Sequence, residues 1–341
     1  MCNHYTRKDA KNSTGEILVD KTQTGKERDW KGKKRKSLLM ADHFGQADLA
    51  SKAERMRDCA DTLVFRKSEE RLKLYQAWFC KVRLCPMCNW RRSLKIAYHN
   101  KRIVETVNER HNVRWLFLTL TVKNTDAESL SETISDMFKG FHKLRQYKAF
   151  KTSVKGFFRA LEVTRNSDPD SDAYGTYNPH FHVLLCVPAG YFKKKELYLK
   201  QDDWTKLWQR AMKLDYTPVV NVKAVKGKKN IDKENIENYE QSVKDAVLEV
   251  SKYPVKDTDI VKGNKVTKEN TETVLALDNA LAYKRLIGYG GILKEIHKEL
   301  NLGDAEEGDL INIAEDDEQA NETFEVMFKW HVGLRNYVAK E

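Results

Sequence analysis

Two histidines stand one residue apart in TYNPHFHVLLCV (176–187), at the head of an apolar run. Side chains two apart on a strand share a face, with Cα atoms ~6.5 Å apart. Imidazoles at that spacing can converge on one divalent cation. The alternative is a pair of structural histidines satisfied at a strand end. Upstream, Glu162 sits among apolar neighbours in ALEVT. A carboxylate there is costly unless it is paired or metal-bound. If its strand lies beside the histidine strand, Glu162, His180 and His182 form a two-imidazole, one-carboxylate site. Such a site keeps open positions for a phosphate oxygen.

A cation that polarises phosphate needs a nucleophile beside it. AVLEVSKYPVKDTD (246–259) offers Tyr253, with Glu249 four residues earlier on the same helical face. Pro254 disfavours helix at Tyr253 and places it near a helix end. A phenol of pKa ~10 is about one part in a thousand ionised at pH 7, a cost of ~4 kcal/mol that cationic surroundings must offset. The bland alternative is a tyrosine capping a helix beside a surface glutamate.

CKVRLCPMCNWRR (80–92) supplies a different chemistry. Cys80, Cys85 and Cys88, with Cys59 upstream, can close a tetrahedral zinc site, although the gap between Cys80 and Cys85 departs from a plain C-x-x-C knuckle. His99 is an alternative fourth ligand to Cys59. Plain reduced thiols are the other reading, and disulfides are not expected in a reducing compartment. Cys186 reads as strand packing and Cys2 as a free thiol. Trp90, Arg91, Arg92 and Lys95 follow the knuckle, a basic and aromatic set able to grip phosphate and stack bases. A solvated helix face with one buried tryptophan is the competing reading.

The whole chain supports a polyanionic partner. It has 341 residues and a formal net charge of +11, with 33% charged and 40% hydrophobic residues. There is no run of about 18 apolar residues to span a membrane and no apolar core for a secretory signal, so a cytoplasmic location is expected. KERDWKGKKRK (26–36) reads as part of a disordered basic arm. DAEEGDLINIAEDDEQANE (304–322) reads as an acidic tail, solvated or shielding a basic surface.

The elements that must position these groups follow from periodicity. WLFLTLTV (115–122), GFFRALEVT (156–164), HFHVLLCV (180–187) and PVVNVKAV (218–225) read as strands. Residues 126–147 read as a helix, with Leu130, Ile134, Met137, Phe141 and Leu144 at three- and four-residue spacing. Helices are also expected around Trp204–Met212 and from Glu234 to Lys252. YKRLIGYGGILKE (283–295) reads as a helix terminus and turn. The order predicts an α+β fold with a central antiparallel sheet and packed helices.

FLTLTV, NPHFHVLLCV and VLEVSKYPVKDTD, in that order, resemble the three motifs of rolling-circle plasmid replication initiators of the HUH endonuclease superfamily. RALEVTR resembles the strand that supplies an extra metal ligand. The similarity spans roughly residues 50–295 and is greatest to the single-tyrosine initiators of small Gram-positive plasmids. It implies a sheet of HUH type preceded by a small zinc-binding module. The implied organisation is a basic arm over 1–50, the cysteine-rich module over 51–105, the endonuclease domain over 106–265 and a helical C-terminal region over 266–341. It also implies a metal-dependent nickase and strand-transferase. Tyr253 would be the nucleophile that keeps the 5′ phosphate, and Glu249 would activate water at termination. Glu162, His180 and His182 would hold Mg²⁺ or Mn²⁺, with structural Zn²⁺ on the cysteines. The implied partners are origin DNA, double- and single-stranded, a host helicase and, as a candidate assembly, a second copy in a homodimer. Alternatives are a relaxase or transposase of the same superfamily, or a non-catalytic zinc-containing DNA-binding protein.

Overall fold

The computed structural model describes residues 13–22, 24–68, 71–225, 243–251, 263, 265–313 and 324–340. It is α+β, with two separate five-stranded sheets in which every strand pair is antiparallel. The chain divides into two compact units. One comprises residues 1–92, 263–271 and 307–341, and the other 93–262 and 272–306.

The first unit departs from the expected arm and module. Its sheet has the order β1-β10-β9-β2-β3, with β1 at Ser13–Ile17, β2 at Thr62–Lys67, β3 at Leu72–Ala77, β9 at Phe324–His331 and β10 at Asn336–Lys340. The C-terminal region is therefore partly strand, because FEVMFKWH alternates in and out of the sheet and a tight turn brings β10 back on it. The basic block is not a disordered arm either. Trp30–Gln46 forms helix α1, capped by the Asp29 carboxylate, which accepts from Gly32 N. Asp20 anchors its start, 2.7 Å from both Trp30 Nε1 and Arg28. Helix α2 follows at Ala50–Asp58.

Helix α3 (Pro86–Arg110) leads into the second unit. There the sheet order is β7-β4-β6-β5-β8. Strand β4 (Val113–Thr121), β5 (Gly156–Arg165), β6 (Tyr177–Pro188) and β7 (Val220–Ala224) match the expected strands within a few residues. Helix α4 (Leu130–Leu144) buries the five expected apolar residues; short α5 (Lys148–Ser153) and α6 (Gln201–Met212) follow in the chain. On one sheet face, Phe157 and Phe181 meet Phe141, and Phe181 also meets Phe138 and Trp208. Such offset and edge contacts each add about 0.5–1.5 kcal/mol beyond area burial. The opposite face meets α3 at one end, where Trp115 Nε1 donates to Asn108 and Tyr289 Oη to Asn100, both at 2.9 Å.

The Gly-Tyr-Gly-Gly stretch is a strand rather than a turn. Strand β8 (Ile287–Gly291) pairs along β5 at the sheet edge. Glycine is required there by close approach. A Cβ on Gly290 would strike the Phe157 ring, and one on Gly291, at φ +57°, would strike the Lys155 carbonyl. The acidic stretch contributes to the same edge: Glu306 is buried and accepts from Leu286 N and Ile287 N, and Asp304 lies 2.6 Å from Arg285. Its start is thus structural, not a solvated tail; residues 314–322 lie outside the described residues.

Gly291→Ala tests this docking. Strain at a left-handed φ plus a backbone clash predicts a loss of ~2 kcal/mol or more in urea unfolding. An unchanged midpoint would mean that β8 is not held against Lys155 as described.

Candidate metal centres

The first centre is assembled by strand register. In the β5–β6 ladder Glu162 stands opposite His180 and Ala160 opposite His182; in the β4–β6 ladder Thr119 stands opposite His182 and Thr121 opposite His180. Period-two alternation then turns Glu162, His180, His182 and Thr119 to one face, while Phe181 and Val183 turn to the aromatic core. The two histidine rings lie 4.8 Å apart, nearly perpendicular.

Three donor atoms converge. Glu162 Oε2 lies 2.8 Å from His182 Nε2 and 3.6 Å from His180 Nε2. The set falls within 4.8 Å of mutual separation. Glu162 is buried, and both histidines are half-buried. The outward nitrogens have their own partners. His180 Nδ1 donates to the Asn178 carbonyl at 3.1 Å, and His182 Nδ1 faces Thr119 Oγ1 at 3.4 Å. A proton fixed on His180 Nδ1 leaves its Nε2 lone pair for a cation. Two imidazoles and one carboxylate, with the imidazoles oriented from behind, fit a hard-to-borderline divalent ion with coordination sites to spare.

The second centre lies in the first unit. Cys59, Cys80, Cys85 and Cys88 are all buried. Cys59 and Cys88 sulfurs lie 3.6 Å apart, Cys80 and Cys88 3.6 Å, and Cys59 and Cys85 3.7 Å. These are far from the ~2.05 Å of a disulfide. They match the ~3.8 Å edge of a tetrahedron built on zinc–sulfur bonds of ~2.3 Å. Hydrogen bonds with Cys80, Cys85 and Cys88 hold the Cys59 thiol well above its ordinary pKa. Cationic and hydroxyl groups surround the cluster: buried Lys34 Nζ donates to the Cys59 carbonyl at 2.9 Å, Arg55 donates to the Cys80 carbonyl, and Ser37 Oγ lies 3.5 Å from Cys85. Cys59 completes the set, so His99 is not needed. His99 instead meets the His297 ring edge-on within the second unit, and burial, with His297 and Lys95 nearby, lowers its pKa to about 4. Cys186 is a packed strand residue with its thiol pushed up to about 12 by burial. Cys2 lies outside the described residues.

The expected DNA-gripping set is placed otherwise. Arg91 is buried and donates to the Leu310 and Ile311 carbonyls at 2.8 and 2.9 Å, while its guanidinium lies over Trp30 and Trp90. Arg92 is 1% exposed and donates to the Lys81 carbonyl and to Asn89. Lys95 is buried, and Trp90 is half-buried against Trp30. A buried guanidinium is tolerated only with its donors matched, and here they are matched within the protein. The run therefore packs the start of α3 rather than presenting a phosphate-binding face.

Glu249 lies in the helical residues 243–250, whose Val243, Val247 and Val250 are buried. Tyr253 lies outside the described residues, as do 234–242 of the expected helix. Just before Tyr253 in the chain, buried Ser251 accepts from Asn100 Nδ2 at 2.9 Å, and the same Asn100 accepts from Tyr289. Asn100, Thr119 and Asn178 escape sequence reading: only the Leu/Thr alternation of FLTLTV hints that Thr119 shares a face with the histidines.

A carboxylate and two imidazoles on an antiparallel sheet, with a separate four-cysteine cluster, give this α+β protein two groups that could each hold a metal ion. The model of the family described as replication protein matches residues 71–338, and the chain belongs to that family. It is 59% identical over 337 residues to Protein rep of Bacillus amyloliquefaciens, covering 95% of this chain and 97% of that protein. It is 39% identical over 328 residues to Protein rep of Streptococcus pneumoniae, covering 95% and 96%. It is 44% identical over 243 residues to a Replication protein of Staphylococcus aureus, covering 71% and 97%. No solved structure matches. No helix among the described residues is long and apolar enough to cross a membrane.

Two metal measurements follow. Purified protein should carry about one zinc per chain by elemental analysis, lost in Cys85→Ala; zinc-replete protein without zinc would reduce the cluster to plain thiols. Thr119→Val should weaken Mn²⁺ binding about 10-fold by calorimetry, the lower end for a group that orients a ligand from behind. Unchanged affinity would remove Thr119 from the site.

Proposed function

We propose that this replication protein initiates rolling-circle replication of a plasmid by nicking one strand of origin DNA, through an HUH-type endonuclease domain formed by the second unit. The observation that carries the reading is the convergence of Glu162, His180 and His182 on one sheet face. When bound there, Mg²⁺ or Mn²⁺ supplies Lewis-acid polarisation of a phosphate oxygen. Zn²⁺ held by Cys59, Cys80, Cys85 and Cys88 is structural, because four thiolates close its coordination shell.

The chain's own residues perform the transfer. The Tyr253 oxygen attacks the scissile phosphorus as its phenolic proton departs. A phosphotyrosyl ester forms on the 5′ side, and the 3′ oxygen leaves as a hydroxyl. The new 3′ end primes synthesis. Energy is conserved in the phosphotyrosyl bond, so a later 3′ hydroxyl can reverse the exchange and rejoin a strand. Hydrolysis needs one more group, a base that orients and deprotonates water. Glu249, four residues before Tyr253 and in helical structure, suits that role. Origin DNA and a host helicase are the partners this cycle requires; a homodimer is the candidate assembly.

Tyr253→Phe should abolish nicking of a supercoiled origin plasmid and the denaturant-stable adduct while sparing DNA binding. A surviving adduct would move the nucleophile elsewhere, with Tyr239 the first to test. Glu249→Ala should spare nicking and strand transfer but slow terminating hydrolysis by ~10²-fold, the lower range for removing a general base. On a plasmid with two origins, products should then run past unit length. Equal loss of initiation and termination would contradict this division of roles.

A further inference from the structure

Ser251 follows the 243–250 helix and is the last described residue before Tyr253. Its backbone N donates to the Val247 carbonyl at 3.1 Å, and its hydroxyl donates to the same carbonyl at 2.5 Å. That hydroxyl also accepts from Asn100 Nδ2 at 2.9 Å, and Asn100 Oδ1 accepts from Tyr289 Oη at 2.9 Å. Asn100 and Ser251 are each 2% exposed. One hydrogen-bond chain thus joins three elements: the helix end, α3 and β8.

The foot of this chain stands on the face that carries the metal ligands. Tyr289 pairs with Phe158 across the β8–β5 ladder, and their rings lie 4.9 Å apart. Alternation turns Phe158, Ala160 and Glu162 to the same face of β5. Phe158 and Glu162 are four residues apart, ~13 Å along the strand. In the 243–250 helix, Val243, Val247 and Val250 are buried together with Ser251, and Glu249 lies half-buried on the flank of that stripe. Apolar packing of valines is non-directional and would let the helix slide or turn. A buried hydrogen-bond chain selects one arrangement, because any other leaves a polar group without a partner.

We propose that Asn100 is a positioning residue for the nicking reaction: through Ser251 it fixes the end of the helix that carries Glu249 and leads to Tyr253. The inference rests on the nickase reading for the chemistry, but its own evidence is the buried chain of bonds and the sheet face on which it stands. Asn100 touches no reacting atom. An apolar side chain would fill its place on α3 at lower desolvation cost. An amide with its donor on Ser251 and its acceptor on Tyr289 answers instead to a need for a defined helix position. Transfer to phosphorus has that need, since a displacement of about 1 Å costs ~10²-fold in rate.

The test is a double-mutant cycle on the full chain, with saturating Mn²⁺ and a supercoiled origin plasmid, at a temperature where every variant is folded. Asn100→Ala and Ser251→Ala should each lower kcat by ~10²-fold, with KM and Mn²⁺ affinity unchanged. The double variant should lose no more than either single one, because both remove the same link. Should Asn100→Ala not fold, Tyr289→Phe, which removes one hydroxyl from the same chain, takes its place in the cycle. Amide hydrogen exchange at residues 247–251 should be faster in the variants, a readout that needs no activity. A wild-type kcat, losses that multiply to ~10⁴-fold in the double variant, or unchanged exchange overturns the proposal. Tyr253→Phe separates the two readings. If it still forms an adduct while the cycle behaves as expected, the nucleophile is misassigned and the role of Asn100 stands. If it abolishes the adduct and Asn100→Ala nicks at the wild-type rate, the role of Asn100 fails and the nickase reading stands.

Discussion

The register between β5 and β6 is the constraint on which the site depends. Glu162 faces His180 only because Gly156 pairs with Cys186 and the ladder runs without a bulge to Arg165 and Tyr177. A one-residue slip would send the carboxylate or both imidazoles into the aromatic core. The core prevents that slip: Phe157, Leu161, Phe181 and Val183 fill the other face and would be forced outward. Burying apolar residues on one face thus fixes polar chemistry on the other, with no separate device needed to aim the ligands.

The two metal centres are built by opposite strategies. The cysteine cluster is closed, buried and gathered from a loop, a helix start and a residue more than twenty positions upstream; its ion would hold a small unit together. The sheet cluster is half-buried, supplies three ligands rather than four and is supported from behind by Asn178 and Thr119; its ion would keep coordination positions for a substrate. Buried Lys34, which donates to the Cys59 carbonyl, would counter the net negative charge of a zinc ion held by four thiolates. Burial lowers the Lys34 pKa, and Asp61 and Cys59 partly restore it.

Much of the second unit was legible in the sequence because its strands alternate and α4 keeps a clean helical period. The histidine pair and Glu162 were legible as types, and adjacency of their strands supplied the rest. Other features were not. Arg91 and Arg92 read as surface charge, since sequence does not reveal that carbonyls from residues 310 and 311 or from Lys81 will receive them. Strand β8 was hidden because glycine normally marks a turn, whereas here it permits close packing against β5. The first unit's sheet was missed because β9 and β10 find their partners, β2 and β1, at the other end of the chain, a pairing that local periodicity does not encode. The role of Tyr253 rests on motif resemblance alone, as it lies outside the described residues.

The central claim is that one divalent cation sits among Glu162, His180 and His182. Anomalous diffraction at the manganese edge, from crystals of the protein soaked in Mn²⁺, measures this directly. The account predicts one strong peak bonded to Glu162 Oε2, His180 Nε2 and His182 Nε2, absent in crystals of His182→Ala. A peak elsewhere on the chain, or none at this cluster with ordered side chains, would contradict it.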